Sequence, residues 1–326
     1  MKQMAIKICI VFSMVFAAQS VLAAEPVPVF VSILPQKYIV QQIGGERVDV
    51  SVMVQPGADP HTYEPKPSQM AKLSKARIYF AIGVPFENFW LDKFAATNSK
   101  MTIVHTDAGI KKIAMATHHH DGEKERGHHE GEHHEDGHHA GDHHDGEHHD
   151  AIHNDDHAED THGHEGLDPH VWTSPERVVM LAENTLQALV KADPDNRQYY
   201  DRNHEAFVKE LRQLDRELRD IFKNSRGMRV MVFHPAWGYL AHDYGLVQVP
   251  IEVEGKNPKP AQLKELIQHA REEQINVIFV QPQFSSKSAK LVAGEIGGQV
   301  VKADPLSENW KENILTITAQ FKEALK

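Results

Sequence analysis

This chain is divided into two parts by a stretch of about fifty residues that has almost no apolar side chains. Between His118 and His164 lie 17 of the 24 histidines and fifteen acidic residues, but only two basic ones, giving this stretch a net charge of −13. Residues 117–166, called the insert below, consist largely of HisHis pairs separated by Gly, Asp and Glu. Such a composition cannot form a hydrophobic core. The folded structure must therefore be built from the residues before and after the insert.

Short apolar runs alternate with helical stretches on both sides of the insert, and this alternation predicts an α/β protein with mainly parallel sheets. Because the pattern occurs twice, we expect two similar lobes. Before the insert, we predict strands at 27–33, 48–54 and 77–82 and helices at Pro35–Ile43 and Pro67–Ala76. After it, we predict strands at 228–233, 276–280 and 299–303 and helices at Pro260–Gln274, Ser285–Ile296 and Glu308–Leu325.

Residues 194–222 contain no internal proline or glycine and predict one long helix. Apolar side chains recur along it at helical spacing and form a single stripe, namely Phe207, Leu211, Leu214, Leu218 and Ile221. The pattern fits either a rigid helix that joins the two lobes or a surface helix of one lobe. On the first interpretation, residues 25–193 form an N-terminal lobe that carries the insert, and residues 223–326 form a C-terminal lobe.

The first 24 residues predict a secretory signal peptide. Lys2 and Lys7 precede a short apolar run, and small residues end the segment, so cleavage is expected near Ala23 or Ala24. An uncleaved membrane anchor is the weaker interpretation, because the apolar run is shorter than a full span. Cleavage would also remove Cys9, the only cysteine, which excludes disulfides and cysteine-based zinc sites or nucleophiles.

The charge of the chain argues against binding to nucleic acid. The formal net charge is −11 at pH 7 with histidine neutral, whereas neutralising phosphates requires a surplus of lysine and arginine. Because residues 118–164 alone carry −13, the rest of the chain is close to neutral at about +2. The acidity therefore belongs to the insert.

Four residues outside the insert are candidate metal ligands. His61, His234 and Asp304 follow predicted strands, and His170 lies in a loop just before a helix that Pro175 opens. The carboxyl ends of parallel strands form the ligand crevice of α/β sheets, so these four side chains can converge between the lobes. Three imidazoles and one carboxylate make an ordinary tetrahedral zinc site. Copper and nickel also accept imidazole-rich sites, while manganese favours more oxygen ligands.

The motifs around these residues resemble the zinc-specific solute-binding proteins of bacterial ABC importers. The resemblance covers nearly all of the chain after the signal peptide and includes the histidine- and acid-rich insert before the second histidine. It rests on ProGlyAlaAspProHisThrTyr at 56–63, LeuAspProHisValTrp at 167–172, HisProAlaTrpGlyTyr at 234–239, and ProGlnPhe at 282–284 followed by AspProLeu at 304–306.

The resemblance implies two (β/α) lobes that are joined by one long helix, with the metal between them. The implied zinc ligands are His61, His170, His234 and Asp304, with water or a histidine of the insert as the alternative to Asp304. The implied function is to capture Zn²⁺ in the periplasm, as a monomer, and to deliver it to a membrane permease that works with a cytoplasmic ATPase.

The histidines of the insert are candidate ligands of a second, weaker kind, because many imidazole pairs can collect zinc near the main site. They are His118, His119, His120, His128, His129, His133, His134, His138, His139, His143, His144, His148, His149, His153, His157, His162 and His164. Two alternative functions stay open on the sequence alone. One is a periplasmic metal buffer that acts mainly through the insert, and the other is a zinc-dependent hydrolase.

Overall fold

The computed structural model describes residues 25–116, 166–253 and 255–326. The predicted signal peptide and the 17 histidines of the insert lie outside the described residues. In the part that is described, no helix is both long and apolar enough to cross a membrane.

The described residues form two four-stranded parallel sheets with flanking helices, as predicted. The first sheet comprises β1 (Val27–Val31), β2 (Val48–Val52), β3 (Ile78–Ala81) and β4 (Thr102–His105), and the helices among them are α1 (Leu34–Gly44), α2 (Pro67–Leu73) and α3 (Glu87–Thr97). Two helices follow the insert, α4 (Pro175–Ala192) and α5 (Arg197–Phe222). The second sheet comprises β5 (Arg229–Val232), β6 (Val247–Pro250), β7 (Val277–Val280) and β8 (Gln299–Lys302), with α6 (Gly238–Asp243), α7 (Pro260–Glu272) and α8 (Lys287–Ile296) between its strands and α9 (Trp310–Ala324) after it.

The two sheets have the same topology. Their strand orders are β2-β1-β3-β4 and β6-β5-β7-β8, and every pairing is parallel. The central strands are almost entirely apolar, apart from Arg229 at the start of β5, as is typical of parallel strands that are covered by helices on both faces. As a result, the carboxyl ends of the strands of each sheet lie together at one edge, where the connecting loops carry the candidate ligands.

The long helix ends where the sequence predicts but begins slightly later. Residues Pro194–Asn196 form a 3₁₀ turn, and the α-helix α5 runs from Arg197 to Phe222 over 26 residues. Four members of the predicted apolar stripe are buried, namely Phe207, Leu211, Leu214 and Leu218. The boundaries of the two lobes stay a prediction.

One hydrophobic core runs through both halves of the chain. It contains residues of β1 and β3, the buried face of α5, and residues of β5, β7 and α9, such as Val31, Phe80, Leu218, Val232 and Phe321. A second, smaller cluster covers the other face of the second sheet. Because the main core is shared, the two sheets are held in a fixed relation by apolar packing.

We expect the substitution Leu218→Ala to destabilise both halves together. Leu218 is fully buried in the shared core, and truncating a buried leucine costs about 2–5 kcal/mol. Chemical unfolding of the zinc-free protein, followed by circular dichroism and by tryptophan fluorescence, should give coincident transitions that shift to lower denaturant. Glu205→Ala on the exposed face of the same helix is the control and should change stability by less than about 0.5 kcal/mol. Two separate transitions, only one of which shifted, would contradict a shared core.

Candidate metal centre

Three of the four predicted ligands come together between the two sheets. One potential ligand atom from each of His61, His170 and His234 lies within 4.8 Å of those of the other two. His61 lies in the loop after β2, His234 directly after β5, and His170 just before a 3₁₀ turn at Val171–Thr173 that leads into α4. His170 and His234 are 5% and 4% exposed, and His61 is half-buried.

The distance between two of these imidazoles matches a shared metal ion. Nε2 of His170 lies 3.3 Å from Nε2 of His234. Two nitrogen ligands of a tetrahedral zinc ion, each about 2.0–2.1 Å from the metal, lie roughly 3.3–3.4 Å apart. The two nitrogen atoms therefore already have the spacing that one zinc ion requires.

A buried carboxylate holds the other ring nitrogen of each of these two histidines. Nδ1 of His170 lies 2.7 Å from Oδ1 of Asp168, and Nδ1 of His234 lies 2.7 Å from Oε1 of Glu252. Because a carboxylate accepts hydrogen bonds, the proton of each neutral imidazole belongs on Nδ1, which leaves the lone pair of Nε2 for a metal. This is the usual arrangement around histidines that bind zinc.

His234 is fixed further by a buried glutamine. Oε1 of Gln281 accepts a bond of 3.2 Å from the backbone N–H of His234, and Nε2 of Gln281 donates one of 2.6 Å to the His234 carbonyl. The ring of Phe284 stacks on the imidazole with centroids 4.7 Å apart. These contacts set both the backbone and the ring plane of His234.

Three loops at the site use the same local turn. In each, an aspartate that precedes a proline accepts, on Oδ1, the backbone N–H two residues later. The distances are 2.9 Å for Asp59 and His61, 2.8 Å for Asp168 and His170, and 2.9 Å for Asp304 and Leu306. Aspartate favours such turns, and the proline fixes the backbone between the two residues. The repeated AspPro pair therefore sets the course of the chain at each loop.

The fourth predicted ligand, Asp304, does not line the cavity that the three histidines line. The group of described residues whose ligand atoms converge does not include it. Its Oδ1 accepts bonds of 2.9 Å from Gln283 Nε2 and from Leu306 N. Gln283 and Leu306 line both the cavity at the histidines and a neighbouring cavity that Asp304 borders. Its role as fourth ligand therefore stays a prediction.

The cavity at the histidines is small and mostly apolar. Its free volume is about 20 Å³, which is enough for one water-sized species. The described residues that line it include no lysine or arginine; they are Asp59, Pro60, His61, Val84, Pro85, Pro169, His170, Trp172, His234, Gln283, Phe284, Pro305 and Leu306. The space fits an ion far better than an organic molecule.

The segment that carries His170 is hydrogen-bonded to the C-terminal part of the chain. Tyr239 Oη donates to the carbonyl of Asp168 at 2.8 Å. The indole N–H of Trp172 donates to the Pro305 carbonyl at 2.8 Å, and the indole N–H of Trp310 donates to the Trp172 carbonyl at 2.7 Å. Both tryptophans are almost fully buried. His170 is thus fixed relative to the second sheet, although its segment comes before α5.

Asp243 at the end of α6 extends this connection. It accepts hydrogen bonds from Ser174 Oγ at 2.5 Å and from Arg177 Nη2 at 2.9 Å. Ser174 and Arg177 lie at the start of α4, so the beginning of this helix is bonded to α6 and cannot shift on its own.

The remaining histidines among the described residues, His105, His204, His242 and His269, do not belong to the converging group. His105 ends the edge strand β4 and is exposed, His204 pairs with Glu183 at 3.4 Å, and His242 is exposed beside Asp243. The sequence analysis missed Asp168 and Glu252. Asp168 could have been found from the sequence, since the AspProHis run that it begins repeats the run at His61. Nothing in the sequence links Glu252 to His234.

Fold and site together define a two-lobed metal-binding protein. The chain belongs to the ZnuA family, described as the periplasmic component A of the zinc-uptake complex, whose family model matches residues 29–324. This is a family of zinc-binding transport proteins and not of enzymes.

Individual relatives agree with this family. The chain is 28% identical over 294 residues to the zinc-binding protein AdcA of Streptococcus pyogenes serotype M3, covering 89% of this chain but 52% of AdcA, so it spans about half the length of that relative. It is 29% identical over 282 residues to the high-affinity zinc uptake system protein ZnuA of Bacillus subtilis, covering 85% and 78% of the two chains. A crystal structure of ZnuA superposes with a TM-score of 0.76 at 36% identity, covering 92% of this chain and 100% of that one.

We expect zinc affinity to fall steeply once the pH drops below about 6.5, the ordinary pKa of histidine. Protons compete with zinc for each of the three imidazoles. Burial, followed by the proximity of His234, lowers the pKa of His61 below 6.5, so this ligand stays neutral throughout the neutral range. Chelator competition at pH 7.5, 6.5 and 5.5 measures the effect. An affinity that stayed constant over this range would contradict a site made of histidines.

Proposed function

We propose that this protein captures Zn²⁺ in the periplasm and delivers it to the membrane permease of an ABC importer, which works with a cytoplasmic ATPase. The observation that carries the proposal is the pair of Nε2 atoms 3.3 Å apart, each on an imidazole whose Nδ1 faces a buried carboxylate. Imidazole ligands at tetrahedral spacing suit zinc. Membership of a zinc-uptake family supports the same cargo.

The size of the site supports binding and release rather than catalysis. A zinc hydrolase needs an open coordination position and room for a substrate, and organic ligands usually occupy about 300–1,000 Å³. The cavity at the three histidines offers about 20 Å³. It accommodates the ion itself, which is therefore the cargo.

The proposal includes the location and the state of the protein. The relatives' family is described as periplasmic, and the first 24 residues have the pattern of a cleaved signal peptide ending near Ala23 or Ala24. We propose export to the periplasm and function as a monomer, because the three histidines that form the centre all come from one chain.

The experiment that tests the function compares two histidines that are eight positions apart in sequence. His234→Ala removes a proposed ligand, whereas His242→Ala removes an exposed histidine on α6. We expect His234→Ala to lower zinc affinity by more than 100-fold, since even outer partners of a ligand contribute 10- to 100-fold, and to abolish growth of the source organism under zinc limitation. His242→Ala should leave both close to normal. Equal effects of the two substitutions would refute the assignment.

We propose Asp304 as the fourth ligand, because it lies in the loop whose next two residues, Pro305 and Leu306, line the histidine cavity. Its two hydrogen bonds use Oδ1, so they orient the carboxylate without occupying Oδ2. Water and a histidine of the insert are the alternatives.

The substitution Asp304→Asn distinguishes these alternatives. Asparagine keeps an oxygen that can accept from Gln283 and Leu306 but is a much weaker zinc ligand, so we expect zinc affinity to fall by at least about 10-fold. Chelator competition measures the change. The control is Asp107→Asn, which removes the same charge from a partly buried ion pair with Lys112. An unchanged affinity would leave the fourth position to water or to the insert.

The insert is proposed as a secondary collector of zinc. Its ends are joined in the described part of the chain: Ala114 and Leu167 form an antiparallel bridge, Met115 N donates to the Gly166 carbonyl at 2.5 Å, and Asp168 N donates to the Ile113 carbonyl at 2.9 Å. The chain therefore enters and leaves the insert at neighbouring positions. For this reason we expect that the insert can be removed without disturbing the fold.

We expect deletion of residues 117–165, bridged by a short glycine linker, to leave a folded protein with one tight zinc site. All four proposed ligands and the bridge at Ala114 and Leu167 are retained. Calorimetric titration should show several zinc equivalents in the full chain and about one in the shortened chain, with the tightest constant nearly unchanged. Loss of all tight binding would instead favour a metal buffer that acts through the insert.

A further inference from the structure

The three histidine ligands bring no charge of their own, yet negative charge is buried directly behind two of them. Neutral imidazoles compensate none of the +2 charge of a zinc ion, and the proposed fourth ligand, Asp304, would compensate one unit of it. Asp168 is 0% exposed and Glu252 is 5% exposed, and each accepts a hydrogen bond from the Nδ1 of a proposed ligand. Burying a carboxylate is costly unless a positive charge balances it.

Among the described residues, neither carboxylate forms an ion pair with a lysine or an arginine. Among the described residues that line the cavity, none is lysine or arginine. Oδ2 of Asp168 is buried and has no hydrogen-bond partner among the described residues. It lies so close to Gly238 that a Cβ at this position would collide with it. The two carboxylates therefore fit a site whose missing positive charge is supplied by the ion.

We propose that Asp168 and Glu252 determine selectivity for divalent over monovalent metal ions. The inference rests on the proposed zinc site and assigns the two carboxylates a role beyond orienting the rings. Their summed charge of −2 acts on any ion in the centre in addition to the charge of the proposed ligand Asp304. A monovalent ion such as Ag⁺, which also accepts imidazole ligands, gains only half the attraction to these two carboxylates that Zn²⁺ gains.

The physical basis is the proportionality of Coulomb energy to the product of the charges. At equal distance, one carboxylate attracts a divalent ion twice as strongly as a monovalent ion. Removing one carboxylate charge should therefore reduce the logarithm of the zinc association constant about twice as much as that of the Ag⁺ constant. A substitution that only tilted an imidazole would weaken both ions through the same ligand and would not produce this factor of two.

The test uses Glu252→Gln and Asp168→Asn in the full chain after signal-peptide removal. Both amides retain an oxygen that can accept from Nδ1. We expect zinc affinity to fall by about 10- to 100-fold and Ag⁺ affinity by only about 3- to 10-fold. Zinc is measured by chelator competition and Ag⁺ by calorimetry in chloride-free buffer. The same titrations of His234→Ala measure the zinc and the Ag⁺ that bind to the insert, and this background is subtracted.

Glu273→Gln is the matched control. It is the same substitution and removes the same charge, but Glu273 pairs with Arg229 at the start of β5, the end of the strand opposite His234. It should change neither constant. If Glu252→Gln fails to fold, as judged by circular dichroism, Asp168→Asn carries the test alone, because each substitution removes one of the two charges.

The outcomes separate this inference from the proposed function. If zinc affinity and Ag⁺ affinity fell by the same factor, or if neither fell, the charge inference would be overturned. The zinc site itself would still stand, provided that one zinc equivalent is lost in His234→Ala. If the unaltered chain and His234→Ala bound the same number of zinc equivalents equally tightly, both the charge inference and the proposed zinc site would be overturned.

Discussion

The metal centre depends on the hydrogen bonds that hold the segment of His170 against the second sheet. This segment precedes α5 in sequence, so only its contacts fix its distance from His234. Two indole N–H groups, of Trp172 and Trp310, donate to backbone carbonyls across this boundary. A buried hydrogen bond contributes only about 1 kcal/mol net, but leaving such a group unsatisfied costs about 1–3 kcal/mol. The position of the His170 segment is therefore held mainly because any displacement would leave buried N–H and carbonyl groups without hydrogen-bond partners.

The shared apolar core supports the same constraint on a larger scale. The two sheets have identical strand orders, and α5 packs its buried leucines into a core that reaches both of them. Each sheet presents the carboxyl ends of its strands, and hence its ligand loops, at one edge. Rigid packing behind these loops lets short turns position the side chains. The AspPro turns at Asp59, Asp168 and Asp304 are the local part of this arrangement.

The sequence predicted all four central strands and two edge strands, β2 and β8, which are recognisable from their valines, and it missed the edge strands β4 and β6. Predicted runs at 27–33 and 77–82 contain β1 and β3, the central strands of the first sheet. The missed strands, β4 and β6, are four-residue edge strands with exposed or half-buried positions, and β6 ends in a proline. Edge strands carry little burial and hence little hydrophobic pattern. The amphipathic stripe of α5, by contrast, extends over several turns and was visible in the sequence.

The same reasoning explains which parts of the site the sequence could predict. The three histidines stand beside strand ends or a helix start and so have a recognisable position, and the structure brings them together. Glu252 follows β6, one of the strands that the sequence did not reveal, and it reaches His234 across 18 residues of chain. Its role is a property of tertiary packing, because only the folded chain shows which ring nitrogen faces which carboxylate.

The pairing of each imidazole with a buried carboxylate also explains how so small a cavity can be polar enough for an ion. The walls are largely proline and aromatic side chains, which exclude water and offer few ligands. The imidazoles of His61, His170 and His234 line the cavity directly. Two further carboxylates, Asp168 and Glu252, lie behind the rings of His170 and His234. A low-dielectric wall strengthens the attraction between these carboxylates and an ion in the cavity. The apolar lining and the buried charge therefore act together, since the lining strengthens the attraction that the charge provides.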